Sequence, residues 1–183
     1  MDQATGVVVA VHRDRHHRFS KPAVDRITLV EGLGVEGDAH AGATVQHRSR
    51  VRRDPTQPNL RQVHLIHAEL LDRVTGLGYD VVPGALGENV TTRGIDLLAL
   101  PTGAVLHFGD RARIAVTGLR NPCVQIDRYR RGLLQELVHT TDDASVVRLA
   151  GVMGVVLVGG AVRPGDAIRV SLPTAPHRPL EPV

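Results

Sequence analysis

The chain has 183 residues, a formal net charge of +3 and a hydrophobic fraction of 42%, enough for one domain with its own core. A single cysteine, Cys123, excludes an intrachain disulfide and any multi-cysteine zinc or iron–sulfur site. The aromatic fraction is 2%, made up of Phe19, Tyr79, Phe108 and Tyr129. That poverty argues against single-strand nucleic-acid binding, which leans on stacking platforms.

Lys21 is the only lysine, so the basic balance is almost all arginine, which permits an anionic ligand without demanding one. The first residues, MDQAT, have no basic segment followed by an apolar one, so no signal peptide is expected. The longest apolar run, residues 151–162, is too short and glycine-rich to span a bilayer. A cytoplasmic protein without a membrane partner is expected.

In chain order, residues 6–12 (GVVVAVH) read as an opening strand, 13–22 as a basic solvated loop carrying His16 and His17, and 27–30 as a short strand. Four glycines then fall within residues 32–42, a loop whose backbone can approach a ligand closely. It lacks the spacing of a dinucleotide or P-loop fingerprint. Asp38 and His40 within it are candidates for orienting or protonating a ligand; in a plain glycine turn they would satisfy backbone groups instead.

Residues 43–60 carry Arg48, Arg50, Arg52 and Arg53 and read as an exposed loop, a solvated charge run rather than a lid. Residues 61–66 alternate as a strand and 67–74 follow as a short helix. His64 and His67 have a spacing that suits a metal, but the strand-to-helix break points them apart and no third ligand is evident. Residues 83–90 form another glycine loop, where Asn89 either presents a donor and an acceptor into a cleft or caps the turn. A meander over 104–108 and 111–117 leads to Gly118.

The stretch GLRNPCVQID (118–127) is the chemical centre of the chain. Asn121 at an N-cap and Pro122 at N1 predict a helix start, with Cys123 in its first turn and Arg120 beside it. A helix dipole and a guanidinium both favour a thiolate, the form that attacks electrophiles and binds soft metals. The competing reading is a small core cysteine. Beyond it, Ile126, Tyr129, Leu133, Leu134 and Leu137 recur at helical spacing, broken by Gly132, so one kinked helix or two short ones are expected. A further helical piece is predicted over 142–149, a buried strand over 151–158 and a last strand over 167–172. Prolines at 173, 176, 179 and 182 suggest a flexible or polyproline tail. The predicted fold is mainly β with flanking helices (α+β), a closed or partly closed barrel over residues 1–172 followed by the 173–183 tail.

The ordered set GVEGDAHAG, RQVHLI, GALGENV, LPTGAVLHFGD, GLRNPC and GGAVRPGDAIRV resembles the MOSC domain, over roughly residues 6–172. The domain is shared by molybdenum-cofactor sulfurase C-termini, amidoxime-reducing enzymes and small stand-alone bacterial proteins. The resemblance implies a MOSC-type β-barrel that binds the molybdenum cofactor, with Cys123 as the molybdenum ligand or, in other members, a carrier of sulfur. It places Asn89 with its neighbour Glu88, Arg120, Asn121 and Thr117 at the cofactor, and Asp38 and His40 beside the site as proton donors. The implied activity is reduction of N-hydroxylated small molecules, served by separate electron-transfer proteins. The alternatives are a persulfide carrier served by a cysteine desulfurase, a non-catalytic pterin-binding module, and a zinc hydrolase built on His40, His64 and His67. The base-reducing relatives carry a helical extension and the amidoxime reductases an N-terminal domain. Against that pattern, residues 43–60 or a second subunit are expected to close the site.

Overall fold

The computed structural model describes residues 5–183; residues 1–4, on which the signal-peptide reading falls, lie outside the described residues. In chain order the first strands are β1 (Thr5–His12), β2 (Ala23–Val24), β3 (Ile27–Val30), β4 (Gly34–Val35), β5 (Val63–His67) and β6 (Val90–Arg93). The meander then supplies β7 (Val105–Phe108) and β8 (Ala112–Leu119). The remainder are β9 (Val138–Thr140), β10 (Val146–Arg148), β11 (Val152–Val158), β12 (Gly160–Val162) and β13 (Ala167–Ser171). Four short helices accompany them: α1 (Arg48–Arg53), α2 (Ala68–Gly76), α3 (Gln125–Tyr129) and α4 (Leu133–Leu137).

Seven strands in the order β13-β7-β8-β11-β5-β6-β1 form a barrel, closed by the antiparallel pairing of β1 with β13. The strands were legible because their side chains alternate. In β8, Ala112, Ile114 and Val116 point inward between more exposed neighbours. Leu106 and Phe108 of β7 and Ile168 and Val170 of β13 meet them, giving an aliphatic interior with the one ring of Phe108. Register shifts in β1 and twice in β11 add the local bending that closure needs. Neighbouring strands β5 and β6 run parallel, and α2 lies in the crossover between them. The buried face of α2 (Leu70, Leu71, Val74) and Ile126, Leu133 and Leu137 of α3 and α4 form a second core around Ile66. Strand β5 is therefore covered on both faces, unlike an alternating surface strand.

Three expectations are corrected. Residues 142–149 are not helical. They make the turn and second strand of the β9–β10 hairpin, because Asp143 accepts from the Thr141 hydroxyl and from the Ser145 N–H, and Ala144 takes a positive φ of 64°. The segment 43–60 is not a plain loop, since it contains α1. The tail is not free of the barrel. Thr102 N donates to Arg178 O, Leu119 N to Glu181 O and Val183 N to Leu119 O, while Leu180 packs against the barrel core. The tail lies so close to β8 that a Cβ on Gly118 would collide with the Glu181 carbonyl. Among the described residues no helix is long and apolar enough to cross a membrane.

Candidate functional site

Strand β8 delivers the cysteine turn to one end of the barrel. Arg120 N still donates to Gly151 O at 3.0 Å, after which residues 121–124 leave the sheet. The expected N-cap is corrected here. Helix α3 begins at Gln125, and Cys123 precedes it, its carbonyl accepting from Ile126 N at 3.0 Å. Asn121 does not cap the helix because its Oδ1 accepts from Arg148 Nε at 3.1 Å. Cys123 is partly exposed, and its thiol makes a long 3.6 Å contact with Gln125 Oε1. It is not a core residue.

A cavity of about 600 Å³ opens beside it, a size usual for small-molecule and cofactor sites. Cys123, Arg120, Asn121, Asn89 and His40 all line it. Behind its wall stands Asp38, whose carboxylate is fully buried. Lys21 Nζ lies 2.8 Å from one oxygen and donates to the other at 3.0 Å. Asn89 Nδ2 donates at 3.0 Å, Asp14 N at 3.2 Å, and both the backbone N and Nδ1 of His40 meet Oδ1, at 3.0 and 3.2 Å. Burial alone would raise the Asp38 pKa, but the His40 bonds and the Lys21 charge outweigh it and hold the carboxyl well below the usual range. Asp38 is therefore a fixed anion that orients His40, not the proton donor expected of it. With Nδ1 turned to that carboxylate, Nε2 is the His40 nitrogen left for the cavity.

Asn89 links strands rather than standing free. Its Oδ1 accepts from His64 N, and Nδ2 also donates to His12 O. Two expected cofactor residues fall away from the cavity. Glu88 is fully buried, with Oε1 accepting from Gly84 N and the Thr91 hydroxyl, and burial raises its pKa against those bonds. Thr117 donates to Leu60 O at 2.6 Å, tying β8 to the segment before Arg61.

Arg120 was expected at the cavity, whereas Arg61, His47 and Lys21 went unread in the sequence as cavity residues. Arg120 is 7% exposed and its Nη1 has no hydrogen-bond partner. Burial pulls its pKa below the ordinary value, opposed by the Cys123 sulfur and Glu88. Arg61 is lowered to about 10 by burial and by Arg50 and Arg120, again opposed by Cys123. His47 is lowered to about 4 by burial, then by Arg61, His40, Arg50 and Arg120. The ring of His17 stands edge-on to His40 at 5.2 Å. Lys21 had a signal, as the one lysine kept in an arginine-rich chain. Arg61 had none.

The histidine set proposed for zinc does not assemble. His64 is buried with Nε2 2.8 Å from Ala150 O, and among the described residues no group of three or more His, Cys, Asp or Glu side chains is placed to hold a metal ion. His64 and His12 are instead neutral core rings. Burial, then Arg120, pushes the His64 pKa well down, and burial, then Lys21, brings His12 to about 4. Each takes up a proton more readily when unfolded, so each costs stability as pH falls below about 6.5, and the His12 share levels off below about 4. The unfolding midpoint should therefore drop between pH 6.5 and 4. A His64→Gln variant should show a shallower slope in urea titrations across that window, and an unchanged slope would contradict the assignment.

Residues 37–169, well over half of the chain, match the family described as MOSC domain. No curated protein matches the chain. Among solved structures, the YUAD protein from Bacillus subtilis is 22% identical with a TM-score of 0.76, over 95% of this chain and 100% of that one. YiiM from Escherichia coli is 19% identical with a TM-score of 0.59, over 97% of this chain and 73% of that one. YiiM from Geobacillus stearothermophilus is 15% identical with a TM-score of 0.54, over 93% and 75%. These likenesses share the barrel fold. With the sequence match across the glycine loops, the cysteine turn and the last strands, the chain belongs to the MOSC domain family.

Proposed function

We propose that this protein holds the molybdenum cofactor in the cavity beside Cys123 and reduces N-hydroxylated small molecules. MOSC domains are associated with molybdenum-cofactor or sulfur chemistry in general. The observation that carries the finer reading is the pairing of the sole, partly exposed thiol with Arg120, a buried guanidinium whose Nη1 is unpartnered at the same cavity wall. The donor chemistry fits the cofactor: a soft sulfur ligand for molybdenum, and unpaired guanidiniums for the pterin's phosphate. When bound, the cofactor would supply the two-electron redox chemistry that cleaves the N–O bond.

The chain's own residues divide the remaining work. Cys123 ligates through its thiolate, while Arg120 and Arg61 bind the phosphate. Asn121, held by Arg148, fixes the turn that carries the cysteine. Reduction of R–NH–OH to R–NH2 and water consumes two electrons and two protons, the electrons arriving from a separate electron-transfer protein. His40 delivers protons through Nε2, oriented by the Asp38 carboxylate. Asp38 is in turn locked by Lys21 and Asn89.

The test is reduction of benzamidoxime with a chemical electron donor, using protein from a cofactor-competent host. His40→Gln should lower kcat about 10²-fold while the metal content is kept. Metal-loaded protein without turnover on any N-hydroxylated compound would remove the reductase reading. The partly exposed thiol also supports a second reading, in which a cysteine desulfurase transfers sulfane sulfur to Cys123. That reading expects a one-sulfur mass adduct on Cys123 after incubation with the desulfurase and cysteine.

A further inference from the structure

Helix α1 reads in the sequence as a solvated charge run, but its arginines stand at the mouth of the site. Arg48, Arg50 and Arg52 all line the cavity that Cys123 lines. Arg48 and Arg52 are exposed and Arg50 is half-buried, so they form its rim rather than its floor. Among the described residues the arginine ion pairs engage Arg18, Arg93 and Arg130. None involves Arg48, Arg50, Arg52, Arg61 or Arg120. Among the described residues no Asp or Glu lines the cavity, and Lys21 is already neutralised by Asp38. The arginines also sense one another: Arg50 acts with Arg120 on Arg61, and Arg48 acts on His17.

Like charges gathered on one concave wall without counterions raise the local potential and favour an anionic ligand. The cofactor meets part of that demand. A phosphate monoester brings about two negative charges at neutral pH. Six guanidiniums line the cavity, and among the described residues only that of Arg18 is in an ion pair, so about three positive charges remain once a phosphate is bound. They belong to α1, at the entrance through which a substrate passes. Arg120, whose buried Nη1 has no hydrogen-bond partner, lines the same cavity and adds to its demand for an anion.

We infer that α1 recognises an anionic group on the substrate, so that the preferred substrates are N-hydroxylated compounds bearing a carboxylate or phosphate; this deepens, and rests on, the reductase reading above. Arginine's planar fork suits both groups, and pairs at an exposed rim are weakened by salt.

The experiment compares benzamidoxime with its 4-carboxy and 4-phosphonooxy derivatives. Binding to cofactor-free protein is followed by calorimetry, and KM is measured on the loaded protein. The anionic compounds are expected to bind about tenfold more tightly at low salt, with the advantage shrinking at high salt. The two derivatives together separate carboxylate from phosphate recognition. In the double variant Arg48→Gln/Arg52→Gln the ratio between anionic and neutral compounds should fall towards one. Arg53→Gln, on the same helix but not lining the cavity, should keep it. Equal affinities for neutral and anionic compounds in the unaltered protein, or a ratio untouched by the double variant, would overturn the proposal. An anion preference in the cofactor-free protein with no reduction of any compound by the loaded one would leave the anion site standing and remove the reductase reading.

Discussion

Lys21→Met is expected to destabilise the protein by about 3–5 kcal/mol in urea unfolding, because it strands a buried charge. The Lys21 and Asp38 side chains are 3% and 0% exposed, and the ammonium reaches both carboxylate oxygens. Removing it leaves Asp38 with Asn89, Asp14 N and His40, dipoles and a partly exposed ring that cannot replace a full charge. The double variant Lys21→Met/Asp38→Asn should recover part of the loss, since no unpaired charge then remains buried. Lys21→Arg should not rescue fully, because a guanidinium is too large and planar for a site shaped around an ammonium. A loss below about 1 kcal/mol for Lys21→Met would mean that the pair does not organise the loops around His40.

The second large effect is on chemistry rather than folding. Cys123→Ser should abolish N-hydroxyl reduction to the level of the enzyme-free control. Its unfolding free energy should stay within about 0.5 kcal/mol of the unaltered protein. The separation follows from the setting of the side chain, which is partly exposed and makes a long contact to Gln125 beside the Arg120 guanidinium. A serine hydroxyl fits that space but is a hard oxygen, a poor substitute for sulfur in the proposed ligation of molybdenum. Retained turnover in Cys123→Ser would exclude the cysteine as ligand, whatever the fold.

The barrel was legible because its strands announce themselves locally. Alternation in β7, β8 and β13, and the glycine turns between them, follow from neighbouring residues alone. The failures share a cause in long-range contacts or competing turn chemistry. Residues 142–149 were expected to be helical, yet the Thr141–Asp143–Ser145 turn decides for a hairpin. The tail's prolines suggested an independent chain, and nothing local reveals that Gly118 leaves room for the Glu181 carbonyl. Asn121-Pro122 is a sound helix-start pattern, but Arg148, 27 residues away, takes the Asn121 side chain and the helix begins later.

The site was legible as a set of residue types and not as a division of roles. Cys123, His40, Asn89, Arg120 and Asn121 share a cavity, whereas Glu88 and Thr117 spend their polar atoms on backbone and neighbouring side chains away from it. Asp38 looked like a proton donor because a sequence does not reveal that Lys21, 17 residues earlier, neutralises it. The α1 arginines looked solvated because their spacing carries no sign of the wall they complete.

The most direct test of the cofactor assignment is the molybdenum content of the purified protein from a molybdenum-replete, cofactor-competent cell, measured by elemental analysis. Stoichiometric molybdenum that is lost in Cys123→Ser is the expected result. Well-folded protein free of molybdenum, or molybdenum retained without the cysteine, would contradict the assignment.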